Sequence, residues 1–328
     1  TTPPTITAAT ASPIATPPVT SPPTIAYPAR SRIGAGASSL QVTEERASLL
    51  GMGWYLDWAA HPHAYQSERV EYVPLIRVRE GVLWPEREQL LAVIDALPGE
   101  LWLVGNEPDV RWQDNTPPET YAAAYHDAYT LLKERDPSCQ VAIGGVSQPT
   151  PLRLRYLDRV LTAYEAAYGE PMPVDVWNVH NFILREERDS WGVDIPPGMD
   201  DQAGRLYEIA DHDDLEIFYR QLVDFRQWMK DRGQQDRPLI ISEYGILMPA
   251  EYGFPQARVE RFMFDTFDVM RTAADPALGY PADGYRLVQR WCWFSLADER
   301  YPTGNLLDAD GSLTVLGRAF RTYTDRVP

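Results

Sequence analysis

Lysine is nearly missing from this 328-residue chain: Lys133 and Lys230 are the only two among 30 basic residues, and 47 acidic residues leave a formal charge of −17. A field of that sign repels polyanions, which excludes nucleic acid and anionic membrane surfaces as partners and favours a neutral substrate. No run of eighteen apolar residues occurs, so no membrane span is expected. Cysteine is limited to Cys139 and Cys292. Burial as small hydrophobes is the commoner role for such positions, and a bridge is the alternative. Histidine is scarce as well, at five. His61 and His63 form an H-x-H, but the later His and Asp ligands that a barrel metallohydrolase needs are missing, so neither metal nor cofactor is expected. No G-x-G-x-x-G loop follows a strand and no G-x-S-x-G elbow appears, which disfavours a dinucleotide fold and an esterase. Asp308 and Asp310 lack the twelve-residue pattern of a calcium loop and read as a turn.

What is present divides the chain in two. Residues 1–30 hold eight Pro and eight Thr with one charge, a composition that favours extended, polyproline-like chain and cannot build a core. A disordered tether is expected there, and tethers of this type commonly join a catalytic module to an export signal, a lipid anchor or another module. A secreted or cell-surface protein follows as the expectation. Residues 31–328 form the single catalytic domain. Hydrophobic residues at 44% and charged residues at 23% suffice for a substantial interior.

Within that domain, eight short apolar runs alternate with amphipathic stretches: RIGAGAS, MGWYLDW, YVPLIRVRE, LWLVGNE, QVAIGGVS, VDVWNVHNF, PLIISEYGI and LVQRWCWFSL. This is the signature of β/α units. Thr116 to Glu119 form a capping box with proline in the first turn, ahead of a helix that buries Tyr121, Tyr125, Ala128 and Leu132. Leu215, Phe218, Leu222, Phe225 and Met229 recur at steps of three and four and predict a second helix. Eight strands with eight helices predict an α/β fold, a (β/α)8 TIM barrel, whose chemistry sits at the C-terminal strand ends.

Two carboxylates stand at such ends. Glu107 follows the fourth run in GNEPD, and Glu243 ends the seventh in SEYG, so both point into one mouth from opposite sides of the barrel. Around a glycosidic bond, a gap of ~5–5.5 Å would make one an acid and the other a nucleophile. Asn106-Glu107 is then the acid/base and Glu243 the nucleophile.

GNEPD with SEYG resembles the retaining glycoside hydrolases of clan A. VHNF is similar to that clan's His-x-aromatic, WCWFSL to its tryptophan-bearing eighth strand, and TGNLLDADGSLTVLGRAF to its closing loop and last helix. GWYLDW, GNEPD and SEYG together look most like the family 128 β-1,3-glucanases and family 39-like enzymes. The resemblance implies that Asn106 bonds the sugar 2-hydroxyl, that His180 in the pair His180-Asn181 orients the nucleophile or sugar, and that Trp293 floors the central subsite. Phe182 stands where the clan commonly places a tyrosine that donates to the nucleophile, and Tyr244 or His180 is the expected substitute.

Ten Trp and eighteen Tyr are many for this length. Sugar faces stack on aromatic planes, so loop aromatics make candidate subsites: Trp54, Tyr55, Trp58, Trp112 and Trp191, with Tyr252 and Phe254 beside them. Trp102, Trp177 and Trp228 are assigned to packing. The expected function is a retaining β-glycoside hydrolase acting on a neutral polysaccharide or oligosaccharide, a β-glucan. A non-catalytic carbohydrate-binding barrel and a metal-dependent barrel hydrolase are the alternatives.

Overall fold

The computed structural model describes residues 27–38 and 41–327, so all but the last four residues of the expected tether lie outside the described residues. Those four lie against the body. Tyr27 lies under the Arg290 guanidinium at 4.6 Å, and Arg30 Nε donates to the Val327 carbonyl at 3.0 Å.

Each of the eight apolar runs forms a strand. In chain order these are β1 (Ile33–Gly36), β2 (Trp54–Leu56), β4 (Leu75–Arg79), β6 (Leu101–Asn106), β7 (Gln140–Gly145), β8 (Trp177–His180), β9 (Leu239–Tyr244) and β10 (Arg290–Trp293). Two short strands add to them, β3 (Glu71–Tyr72) and β5 (Val82–Trp84). The strands make a six-stranded sheet, β3-β2-β1-β10-β9-β8, and a four-stranded one, β5-β4-β6-β7. Pairing is parallel except for the β4–β5 hairpin. Hydrogen bonds also cross between the sheets. On one side Asp175 N–H donates to Val141 O at 3.1 Å and Ala142 bridges Val176. On the other, Leu75 N–H donates to Ala59 O at 2.8 Å.

Seven α-helices follow among the described residues: α1 (Glu44–Leu50), α2 (Arg87–Ala96), α3 (Pro118–Arg135), α4 (Pro151–Tyr168), α5 (Leu215–Asp231), α6 (Gln256–Thr272) and α7 (Val315–Thr324). The missing unit of the expected eight is the connection from β2 to β3, residues 57–70, which contains no α-helix. Its sequence, DWAAHPHAYQSERV, has no apolar repeat of three or four and carries Pro62 in its middle. The faces expected of α3 and α5 are buried. The capping box does not form. Pro117 is the N-cap of α3, and the Thr116 hydroxyl is spent instead on the Val78 carbonyl at 2.6 Å.

Parallel strands covered on both faces split their side chains between two cores. Trp102, Val104, Ile241, Trp291 and Trp293 turn towards the helices. Leu56, Leu75, Leu101, Leu103, Ala142, Ile240 and Cys292 form a separate cluster with Trp54 on the other face. Cys139 and Cys292 are both free and buried, so they act as small hydrophobes.

Candidate active site

Two local irregularities aim the acids. Strand alternation would send Leu101, Leu103 and Gly105 to one face and Asn106 to the other. Gly105 breaks this parity with a left-handed φ of 95°, and a Cβ there would lie 2.9 Å from the Tyr121 ring. Glu107 is left-handed too, with φ 44°. Its N–H donates to Gly145 O at 3.0 Å, anchoring the end of β6 to β7. On β9 the register slips between the pairs Val179–Ile241 and His180–Glu243. This bulge turns Glu243 inward and Tyr244 outward.

The outcome is a compact trio. His180 Nδ1 lies 2.9 Å from Glu107 Oε1 and 3.8 Å from Glu243 Oε2. One donor atom from each of the three groups falls within 4.8 Å of the others. Trp58 Nε1 donates to Glu243 Oε2 at 2.8 Å. Both acids are buried yet reachable, 7% exposed for Glu107 and 8% for Glu243. They open into a cleft of about 840 Å³ lined also by Asn106, Trp58, Trp112, Trp191, Phe294 and Tyr252.

Burial, reinforced by the negative charge of Glu107, pushes the Glu243 carboxyl up to about 7, against the pull of His180, the Trp58 N–H and Arg77. For His180, burial works against the imidazolium, but Glu243 and Glu107 outweigh it and raise its affinity for a proton. Glu243 and His180 thus both hold a proton more readily than they would in water. Among the described residues this is the one cluster of three side chains of metal-binding type. The contacts of His180 with Glu107 and of Trp58 with Glu243 engage one oxygen of each acid.

Of the residues expected at the site, Glu107, Glu243, Asn106, Trp58, Trp112 and Trp191 line the cleft, and His180 sits between the acids. Six do not reach it, among them Phe254, which is fully buried and edge-on to His212. Trp54 is fully buried at the opposite ends of the strands, its N–H shared between Arg32 O and Trp291 O, because it opens β2 and does not follow it. Tyr55, one residue on, faces the helix side, where its hydroxyl donates to Tyr65 O at 2.7 Å. Asn181 spends its amide on Phe218 O in α5. Tyr244 meets Thr266 of α6, so it does not replace the missing tyrosine hydroxyl. Trp293 packs among Tyr244, Phe262 and Phe267 and donates to Gly304 O. The next residue, Phe294, lines the cleft in its place.

Arg77 and Asp114 were not expected. The Asp114 carboxylate accepts from Arg77 Nε at 2.6 Å and from the backbone N–H groups of Val78 and Asn106 at 2.8 and 2.7 Å. It thereby fixes both the guanidinium beside the acids and the start of the Asn106-Glu107 turn. A charge inside the apolar run PLIRVRE was the available signal for Arg77.

Residues 33–190 match the family described as glycosyl hydrolase catalytic core. No curated protein matches the chain. Three solved structures share its fold over nearly their whole length. The first is a family 128 subgroup I endo-β-1,3-glucanase from Amycolatopsis mediterranei in complex with laminaritriose, at 21% identity and TM-score 0.58, covering 89% of this chain and 99% of that one. The second is a subgroup II endo-β-1,3-glucanase from Sorangium cellulosum, at 16% and 0.59, covering 90% and 98%. The third is a subgroup III curdlan-specific exo-β-1,3-glucanase from Blastomyces gilchristii in complex with glucose, at 18% and 0.58, covering 90% and 100%. The chain is a glycoside hydrolase, built on the fold of the family 128 β-1,3-glucanases.

Proposed function

We propose that the protein is a retaining β-glycoside hydrolase that cleaves a β-1,3-glucan by double displacement. The observation that carries this is the approach of two buried carboxylates to within 4.8 Å at one cleft, close to the ~5–5.5 Å at which a second carboxylate reaches the anomeric carbon directly. Glu243 attacks C1 as the C1–O bond breaks, and the leaving oxygen takes the proton of Glu107. Water then gives a proton to Glu107 and its oxygen to C1, which frees the Glu243 carboxylate. His180, in contact with Glu107 and facing Glu243, holds the Glu107 carboxyl in place beside the leaving oxygen.

The laminari-oligosaccharide and glucose in the related structures support a β-glucan as the substrate, as do the exposed Trp112 and Tyr252 at the cleft. We extend the reading to the scaffold: the cross-sheet bonds at Val176 and Leu75 close the strands into a (β/α)8 barrel with one helix omitted. The Pro/Thr-rich stretch of residues 1–30 supports work outside the cell, on polymer too large to enter it.

The test is proton NMR of the first products formed from laminarin or curdlan. β-Anomer appearing first is the expected result. α-Anomer appearing first overturns retention, and uncut glucan overturns the substrate. Glu107→Gln is expected to slow natural substrates by ~10²–10⁴ and aryl glycosides with good leaving groups far less. Activity lost to a chelator and restored by a divalent cation would favour a metal-dependent hydrolase instead.

A further inference from the structure

Trp58 sits two residues beyond β2 in a left-handed conformation, φ 54°, which a bulky side chain adopts only when its surroundings impose it. Three contacts do so. Gly36 leaves room for the ring, since a Cβ there would lie 2.8 Å from Trp58 Cη2. Phe294 meets it edge-on at 5.7 Å. At the far edge the indole N–H reaches Glu243 Oε2 at 2.8 Å. A stacking platform would need none of this precision at its nitrogen. An indole N–H can only donate and does not titrate in the working range, so the carboxylate is the form of Glu243 it favours.

We infer that Trp58 is a positioning residue for the nucleophile: its N–H pins Oε2 of Glu243 and leaves Oε1 as the oxygen that attacks the anomeric carbon. This rests on the reading of Glu243 as nucleophile. Phe182, which borders the cleft near His180 and Phe294, has no hydroxyl to share the task. The other charged and titratable groups facing Glu243 are Glu107 from the end of β6, His180 from β8, Arg77 from β4 and the Cys292 thiol from β10. All four persist in Trp58→Phe, which removes the N–H and keeps an aromatic ring.

Carbon-13 NMR titration of labelled glutamate, run beside the pH profile of kcat/KM, tests the assignment. In Trp58→Phe the Glu243 carboxyl is expected to titrate about one pH unit higher, the size of shift a lost charge-assisted hydrogen bond gives. The acid limb of kcat/KM should move with it. The expected loss in kcat is ~10–100-fold with KM changed less than ~3-fold, as for an interaction realised in the transition state. An unmoved Glu243 titration overturns the inference. So does a raised KM with kcat and acid limb unchanged, the pattern of a stacking platform. Should Trp58→Phe fail to fold, Gly36→Ala displaces the ring while keeping its N–H, and the same titration is expected to rise. The titration reports on the indole–carboxylate bond alone, whereas wild-type protein that fails to cleave glucan with retention condemns the underlying reading of the site.

Discussion

Two buried pairs of acids lie side by side in this molecule, and they differ in the cation placed between them. Glu107 and Glu243 share His180. Two residues beyond Glu107, Asp109 pairs with Arg153 at 2.6 Å, and the same guanidinium contacts Glu186. Asp109, Arg153 and Glu186 have no exposure at all. Burial raises the Asp109 carboxyl against the pull of Arg153, while Glu186 and Asp109 together raise Arg153 despite its own burial. Arginine stays charged at any working pH and binds carboxylates through a rigid fork. That network is therefore a clamp. It joins Asp109 after β6 to Ser147 after β7 through the Ser147 hydroxyl at 2.8 Å, and to Val193 O and Asp194 O in the loop that carries Trp191. Imidazole titrates near neutrality, so the neighbouring trio can pass a proton where the clamp cannot. One arrangement spends its buried charge on rigidity; the other keeps it available for chemistry.

The sharpest way to break the contrast is at Glu243, the nucleophile of the proposed mechanism. Glu243→Ala should lower kcat on glucan by at least ~10⁴, the scale seen when a covalent nucleophile is removed, while isothermal titration still detects oligosaccharide binding. Activity within tenfold of wild type would remove Glu243 from the mechanism. Arg153→Met attacks the other pair. It strands Asp109 and Glu186 without a countercharge, and urea denaturation should show a loss of about 3–5 kcal/mol, as for breaking a buried ion pair from one side. If the clamp were dispensable, the variant would unfold at the wild-type midpoint.

The same contrast separates what is legible in the sequence from what is not. Glu107 and Glu243 could be found because each follows directly on an apolar strand, and the faces of α3 and α5 because helical periodicity repeats over several turns. The choice of face at a strand end depends on single residues. Left-handed Gly105 and the bulge before Glu243 change parity on β6 and β9 and turn Tyr244 to the helices, while on β10 plain alternation turns Trp293 to the helices with Trp291 and leaves the cleft to Phe294. Trp54 and Tyr55 went astray for a related reason, since a run such as MGWYLDW does not reveal where its strand begins. Partners far apart in sequence leave no local trace. Trp58 meets Glu243 across 185 positions, and Arg153 meets Asp109 across 44. Only Arg77 carried a usable sign, a charge inside an apolar strand.

The smallest effect expected separates the two pairs by pH. Burial and Glu107 raise the Glu243 carboxyl to about 7, above the ~4.3 of an unfolded glutamate. The folded state therefore binds the extra proton between those values, and the stability this proton confers is complete below about 4 and lost as pH rises through 7. Glu243→Gln removes the charge that must be held buried at higher pH. It should be more stable than wild type by about 1–3 kcal/mol at pH 8, a discounted share of that shift at 1.36 kcal/mol per unit. The gain should fade as pH falls below 5. Arg153→Met offers no such gain at any pH, because its acids lose a permanent cation. Thermal unfolding of both variants from pH 4 to 8 measures this directly, and a Glu243→Gln advantage that is flat with pH would show that charge repulsion at the site is not its source.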